Sequence, residues 1–437
     1  MSIIDVLKEI ILDFQAQAPA TGVPRRLRIE PVRGKAAVCL GVRRGGKSTF
    51  LCQIVQALYE SGVKPQNVLY VNFFDDRLHA LTHQGPAPVL EAYFSQFPEK
   101  KGTETVYCFF DEIQMVKGWE PFVDRLLRTE RCELYLTGSS ARLLSREVAT
   151  QMRGRSLSWE LFPFSFTEFL DFKGIRAEPE TSRNRLLTQK AFEEYWQKGG
   201  FPEVRNVPDR VRVMIHQEYF RTMVYRDIVE RHDAMHPQAV LDLAFRLVNN
   251  VAASHSLNSL TGYLKALHYK VSKAFVGECL AWFEDAFFLF AVKLWDASLA
   301  RQNVNVKKVY CIDHALVVSV SSGILVNSGH LLENLVFLHL RRQGDRVHYY
   351  RTQSGREVDF IWQDSEGKRH LVQVCESLAT RPEIQRREIV SLTEAMQEMK
   401  LKEGTVVTRN EAQEIETTAG QINVIPAWKY LLSESRA

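Results

Sequence analysis

Lys47, Ser48, Asp111 and Glu112 are the residues whose types and spacing most directly suggest chemistry in this sequence. The first two close the run Gly41-Val42-Arg43-Arg44-Gly45-Gly46-Lys47-Ser48, which fits the G-x-x-x-x-G-K-S/T pattern of a phosphate-binding loop. In that pattern Gly41, Gly45 and Gly46 let the backbone turn tightly and present its N–H groups to phosphate oxygens. Lys47 reaches the β- and γ-phosphates, and the Ser48 hydroxyl ligates Mg²⁺. Arg43, Arg44 and Thr49 lie in the same cradle and count as nucleotide-binding positions. The other two residues end the apolar run Val106-Tyr107-Cys108-Phe109-Phe110-Asp111-Glu112, a Walker B pattern. Asp111 would hold Mg²⁺, usually through water, and Glu112 would polarise the attacking water. Two acids after a strand are, taken alone, more often a helix N-cap region. Downstream of a phosphate loop the catalytic reading is the stronger one.

These residues need elements to position them. Ala36 to Leu40 reads as a buried strand running straight into the loop, and Thr49 onward is helix-compatible, so the loop ends at a helix N-terminus whose dipole favours anions. Helix and strand signals then alternate: helix 48–61, strand Val68 to Phe74, helix 88–97, strand Val106 to Phe110, helix 119–129, strand Glu133 to Thr137. Such alternation predicts a parallel sheet with helices on both faces and ligands at the carboxyl ends of its strands. The last strand ends in Gly138-Ser139-Ser140. Ser139 is placed as a polar sensor of the γ-phosphate; the alternative is that Ser139 or Ser140 caps the next helix. Arg153 and Arg155 follow, placed to touch phosphate within or between subunits, or to form ordinary surface salt bridges. Residues 2–17 have helical spacing, Arg25 to Ile29 reads as a short basic strand, and 161–202 reads as a small helical lid closing the core.

From about 208 the sheet signal disappears. A long amphipathic helix, VMIHQEYFRTMVYRDIVERH, precedes helices at Gln238 to Val251, Leu257 to Leu267 and Val271 to Asp285, and FFLFAVKLW follows as a strand. Three helices and a hairpin is the order of a winged helix, whose third helix would enter the DNA major groove. That helix carries one lysine and three acids, a poor match to phosphate, so an interdomain or protein-binding module stands beside the DNA reading. After Ser328, a helix with Glu333, a strand with Asp359 and another with Gln373 resemble a restriction-endonuclease core, in which two acids bind Mg²⁺ and a lysine activates water. Gln373-Val374-Cys375 stands where the second carboxylate and the lysine belong, so the expectation is a degenerate nuclease site without cleavage. Arg341, Arg342, Arg346, Arg351 and Arg356, with His348, Tyr349 and Tyr350 between them, form a basic, aromatic stretch that fits either duplex DNA or a solvated charged face.

Composition sets bounds on all of this. The 437 residues, 45% hydrophobic and 25% charged, are ordinary globular material with room for about two to four domains. A net charge of +4 makes no overall case for nucleic acid, so a basic site must be local. Seven scattered cysteines suggest reduced core thiols in a cytoplasmic protein. The N-terminus lacks signal-peptide features, and no apolar run reaches the ~18 to 20 residues of a membrane span.

In order, GVRRGGKST, FFDEIQ followed by GWE, LTGSSARLLS, RGR with FPFSFTEFL, GGFPE, YRDIVER, KVYCIDHAL, GREVDFIW and LVQVCESL resemble a prokaryotic family of AAA-type ATP-binding proteins. In that family an archaeal-type ATPase core is joined to a C-terminal domain of unknown function. The resemblance spans nearly the whole chain. It implies an α/β fold with an AAA+-like core at 1–205, a winged-helix region at 206–325 and a restriction-endonuclease-like domain at 326–437. It assigns Lys47 and Ser48 to nucleotide, Asp111 and Glu112 to hydrolysis, and Ser139 to sensing. The resulting expectation is a Mg-ATP hydrolysing protein, working as a homo-oligomer, whose cycle moves its C-terminal domains and acts on DNA. The alternatives are a nucleotide-gated interaction protein and an ATP-dependent nuclease.

Overall fold

β1 (Ala36–Leu40) is buried along its whole length, as an apolar strand covered on both faces must be. It pairs in parallel with β4 (Cys132–Gly138) on one side and β5 (Ser156–Glu160) on the other. β2 (Val68–Asn72) and β3 (Val106–Asp111) continue the sheet beyond β4, in the all-parallel order β2-β3-β4-β1-β5. The computed structural model describes residues 2–139, 154–176, 181–296, 298, 301–302, 306–321, 327–344, 346–364, 366–379 and 382–433. Contacts divide the chain into two units, Met1–Phe162 and Pro163–Ala437.

In the first unit the helices are α1 (Ile3–Ala16), α2 (Lys47–Glu60), α3 (Ala87–Gln96) and α4 (Trp119–Thr129). α2 buries Leu51 and Val55 against Ala37, Val68, Tyr70, Phe109 and Tyr135 of the sheet. Phe14 of α1 stacks on Tyr70 with ring centroids 4.2 Å apart. The strand progression reverses beside β1, which opens the crevice at the carboxyl ends of β1, β3 and β4. The parallel α/β core is therefore as expected. The basic strand at Arg25 to Ile29 is not: both edges of β1 are already paired, and this segment is irregular. Its Leu27 and Ile29 pack on Cys39, Phe50 and Leu161, while Arg25 donates to the Gly45 carbonyl at 2.9 Å and to the Phe162 carbonyl.

The second unit begins with α5 (Phe166–Lys173) and α6 (Ser182–Lys198). Of residues 161–202, expected as a lid on the ATPase core, 163–202 fall with the second unit. Gly200 donates its N–H to Asp313 at 2.6 Å, and Arg342 donates to the Pro163 carbonyl at 3.0 Å. α7 (Asp209–Thr222) runs on through a π-helical turn, Met223–Glu230. Then come α8 (Pro237–Asn249), β6 (Ser254–His255), α9 (Leu257–Ala266), α10 (Lys273–Asp285), β7 (Leu289–Val292) and β8 (Lys307–Cys311). The small antiparallel sheet has the order β6-β8-β7. The three helices and following hairpin stand in the expected sequence.

After α11 (His314–Val320), α12 (Ser328–Gln343) leads into a six-stranded mixed sheet. Its strands are β9 (Val347–Arg351), β10 (Glu357–Gln363), β11 (Arg369–Val374), β12 (Glu403–Thr408), β13 (Gln413–Glu416) and β14 (Gln421–Pro426), in the order β13-β14-β12-β11-β10-β9. α13 (Pro382–Met399) covers it, burying Leu392, Ala395 and Met396 on Val358, Ile361, Leu371, Val406 and Ile422. The register of β9 against β10 shifts between Val358 and Ile361, across Asp359. All seven cysteines are free, and no helix among the described residues is long and apolar enough to cross a membrane.

Candidate active site

The loop between β1 and α2 is built around backbone constraints. Gly41, at φ 155°, lies so close to the next layer that a Cβ would stand 2.1 Å from the Leu161 carbonyl oxygen. Gly46 caps α2 in the left-handed region at φ 99° and has no side chain to satisfy the N–H groups of the first turn. Open N–H groups at the start of a 14-residue helix fit a phosphate. Arg25, which the sequence reading missed, ties this loop down through Gly45.

Lys47 is buried. Its Nζ donates to the carbonyls of Gly41 at 3.0 Å and Val42 at 3.2 Å, and lies 3.5 Å from Glu112 Oε1. Ser48, next to it, is exposed. Glu112 sits just beyond β3 with a left-handed backbone, φ 54°. Burial alone would push its carboxyl up, but Lys47, the Gln114 amide and Arg43 outweigh that and hold it below the usual range. The carboxylate is thus ionised, as a group that must accept a proton from water requires. Gln114 donates Nε2 to Glu112, while its own Oε1 is buried and accepts no hydrogen bond.

Asp111, at the end of β3, is fully buried. It accepts from the Tyr70 hydroxyl at 2.9 Å and from the Thr137 hydroxyl, and Thr137 in turn accepts the Glu112 N–H at 2.9 Å. One threonine therefore fixes both Walker B acids. Tyr70 and Thr137 were not singled out from the sequence; the available signal was position, because both lie at or near the carboxyl ends of strands flanking β3. Ser139 is buried just past β4. Arg155 points to Asp124, 3.5 Å away, an acid that Arg128 also holds at 2.9 Å. Arg44 is in the left-handed region, and the Arg43 guanidinium lies over the Phe74 ring at 5.9 Å. Ser140 and Arg153 lie outside the described residues.

In the second unit Glu333, Asp359 and Gln373 line one cavity of about 960 Å³. At its centre is a residue that the sequence reading missed. Lys308 of β8 is buried with Nζ 2.6 Å from Glu333, 2.9 Å from Asp359 and 3.2 Å from Glu357. Burial alone would lower its pKa; the Asp359, Glu333 and Glu357 carboxylates reverse that and hold it well above the ordinary value. Burial and the Asp359 charge push the Glu333 carboxyl up, against the opposing pull of the Lys308 ammonium and the Tyr310 hydroxyl. Glu376 lies beyond the end of β11 and also lines the cavity. The arginine stretch has protein partners: Arg341 lies over Phe290, Arg342 donates to Pro163, and Arg346 donates to Gln363. Arg351 pairs with Glu357 and Arg356 with Glu394.

A phosphate loop, paired Walker B acids and an all-parallel sheet define a P-loop nucleotide-binding protein of the AAA type, and an AAA-domain family model matches residues 33–170. Models for two domains of unknown function, DUF8612 and DUF4143, match 189–324 and 328–430. An uncharacterised protein of Methanocaldococcus jannaschii is 33% identical, covering 98% of this chain and 95% of its own. One from Haemophilus influenzae is 30% identical, covering 74% and 78%. The chain belongs to this family of AAA-type P-loop ATPases. Among solved structures, Aeropyrum pernix ORC1 in complex with DNA aligns at a TM-score of 0.30 with 15% identity, covering 74% of this chain and 92% of that one. AMPPCP-bound DnaA from Aquifex aeolicus aligns at 0.24 with 15% identity, covering 64% and 86%. Both are loose likenesses, and the fold rests on the strand order itself.

Proposed function

We propose that the chain binds and hydrolyses Mg-ATP at the β1–α2 loop. The observation that carries this reading is the Lys47–Glu112–Thr137–Asp111 constellation, which gathers a phosphate-seeking cation, an ionised base and a metal-side carboxylate at the ends of adjacent strands. Bound Mg²⁺ would supply charge neutralisation at the phosphates. Ser48 and Asp111 are the residues to hold it, and Lys47 exchanges its carbonyl partners for phosphate oxygens. Arrival of phosphate also releases Glu112 from Lys47, leaving Gln114 to hold its second oxygen while the first faces water. Ser139, Arg153 and Arg155 remain proposals for γ-phosphate sensing, within one chain or across a homo-oligomer. We further propose that the cycle drives the helical and C-terminal regions, with duplex DNA as the client. A winged-helix-like order of α8, α9, α10 and the β7–β8 hairpin supports the DNA client.

Steady-state ATP hydrolysis tests the reading. Lys47→Ala is expected to abolish nucleotide binding, and Glu112→Gln to retain bound ATP while turnover falls by at least ~100-fold. Wild-type turnover in both variants would overturn it. Stimulation of the rate by duplex DNA, fading steeply as salt rises, is the expected sign of a DNA client; a rate indifferent to DNA would remove that client. In that case the reading becomes a nucleotide-gated protein acting on other proteins.

A further inference from the structure

The nuclease-like resemblance implies a divalent ion among Glu333, Asp359 and Gln373, and the donor set there argues against one. Asp359 uses Oδ2 to accept the Val374 N–H at 2.9 Å and Oδ1 to accept Lys308. Glu333 Oε1 accepts both Lys308 and the Tyr310 hydroxyl, the latter at 2.7 Å. Gln373 gives its oxygen to the Asp359 N–H at 3.2 Å and its amide to Glu388 at 2.6 Å. Among the described residues no group of three or more His, Cys, Asp or Glu side chains is arranged to hold a metal. The residues do not fit a divalent ion; the position is filled by an ammonium.

We propose that Lys308 is the resident cation of this pocket, standing where a nuclease-like site would hold its metal, so that the pocket takes no divalent ion and cleaves no phosphodiester. Lys308 is well placed for permanence. β8 is the central strand of its sheet, and Lys308 is paired there with Ser254 of β6 and Val292 of β7. The carboxylates reach it from α12 and from β10, and the register shift on β10 falls across Asp359. Bulges of this kind re-aim a side chain, here toward the lysine. A single ammonium thus joins a strand of the helical region to the six-stranded sheet. Its removal would leave buried carboxylates without a counter-charge, an arrangement that favours capture of an external cation.

The test uses the full-length chain without nucleotide. Bound Mn²⁺ is counted by electron paramagnetic resonance, and melting is followed in EDTA and in Mn²⁺. Wild type and Asp359→Asn are expected to bind the same number of Mn²⁺ ions, and wild-type melting to be unmoved by the metal. Lys308→Met keeps the stem and loses the charge; it is expected to gain one Mn²⁺ site, absent from the Lys308→Met/Asp359→Asn double variant, and to melt higher in Mn²⁺ than in EDTA. An Asp359-dependent Mn²⁺ site in the wild type overturns the proposal, whether or not Lys308→Met folds. A folded Lys308→Met chain that gains no site overturns it equally.

Discussion

The Walker B acids of this protein are held by hydroxyls that lie far from them in sequence. Thr137 touches Asp111 through its hydroxyl proton and Glu112 through its lone pair, so losing it loosens both at once. Hydrogen bonds to charged groups are worth about 1.5–3 kcal/mol, and Thr137→Val is expected to lower kcat by about 10- to 100-fold with little change in the KM for ATP. Rapid-quench turnover measurements would check this. Gln114 acts on the base alone. Without its amide, the Glu112 carboxyl of the free enzyme rises toward the ordinary carboxylate range, so the acid limb of the kcat/KM profile of Gln114→Ala should move to higher pH. An acid limb that stays in place would show that Lys47 and Arg43 suffice. Neither residue was legible beforehand, because a contiguous motif is written in neighbouring positions, whereas these contacts are made across β3 and β4 or through a tight turn. Lys308 was hidden for the same reason: Glu333 and Asp359 could be found from their strand and helix, but the cation between them comes from another sheet.

At the scale of elements, what the sequence made legible was local periodicity. β1 to β4, α2 to α4 and the helices from α8 to α10 fall within a few residues of their expected bounds. The apolar runs are long enough there to fix type, and capping residues such as Ser256 and Ser272 mark the starts. Arg25 to Ile29 was misread because a short apolar–basic alternation cannot reveal that β5 already occupies the edge of β1. Junctions between elements carry the sharper constraints. Gly41→Ala would drive a Cβ into the Leu161 carbonyl and is expected to cost about 3 kcal/mol or more, measured as a fall in the urea midpoint. Between α7 and α11, fully buried His216 bonds Ser319 at 2.8 Å through Nδ1 and leaves Nε2 without a partner. Burial lowers its pKa from 6.5 to about 4. The unfolded chain therefore takes up the proton first. Stability tied to His216 is complete above about pH 6.5 and declines as pH falls toward 4, by about 2 kcal/mol between pH 7.5 and 5. Denaturation at the two pH values, with His216→Gln as the control, measures the difference.

For the whole molecule, the two units predict separate melting behaviour. Calorimetry should resolve more than one transition, and Mg-ATP at 100 times its Kd should stabilise the one belonging to Met1–Phe162 by about 2.7 kcal/mol. A single transition moved bodily by nucleotide would mean that the units unfold together. The seven free cysteines have a further use in this connection. Burial pushes Cys39, in β1, up to about 12; a hydrogen bond with Cys132, together with burial, holds Cys108, in β3, well above the ordinary thiol value; and burial pushes Cys279, Cys311 and Cys375 up to about 12 in the second unit. Thiolates, not thiols, react with alkylating reagents. These side chains are consequently silent while the chain is closed and become chemical clocks when it opens. The alkylation rate at each position reads how often its own strand or helix breathes, and ATP should slow the clocks at Cys39 and Cys108 first.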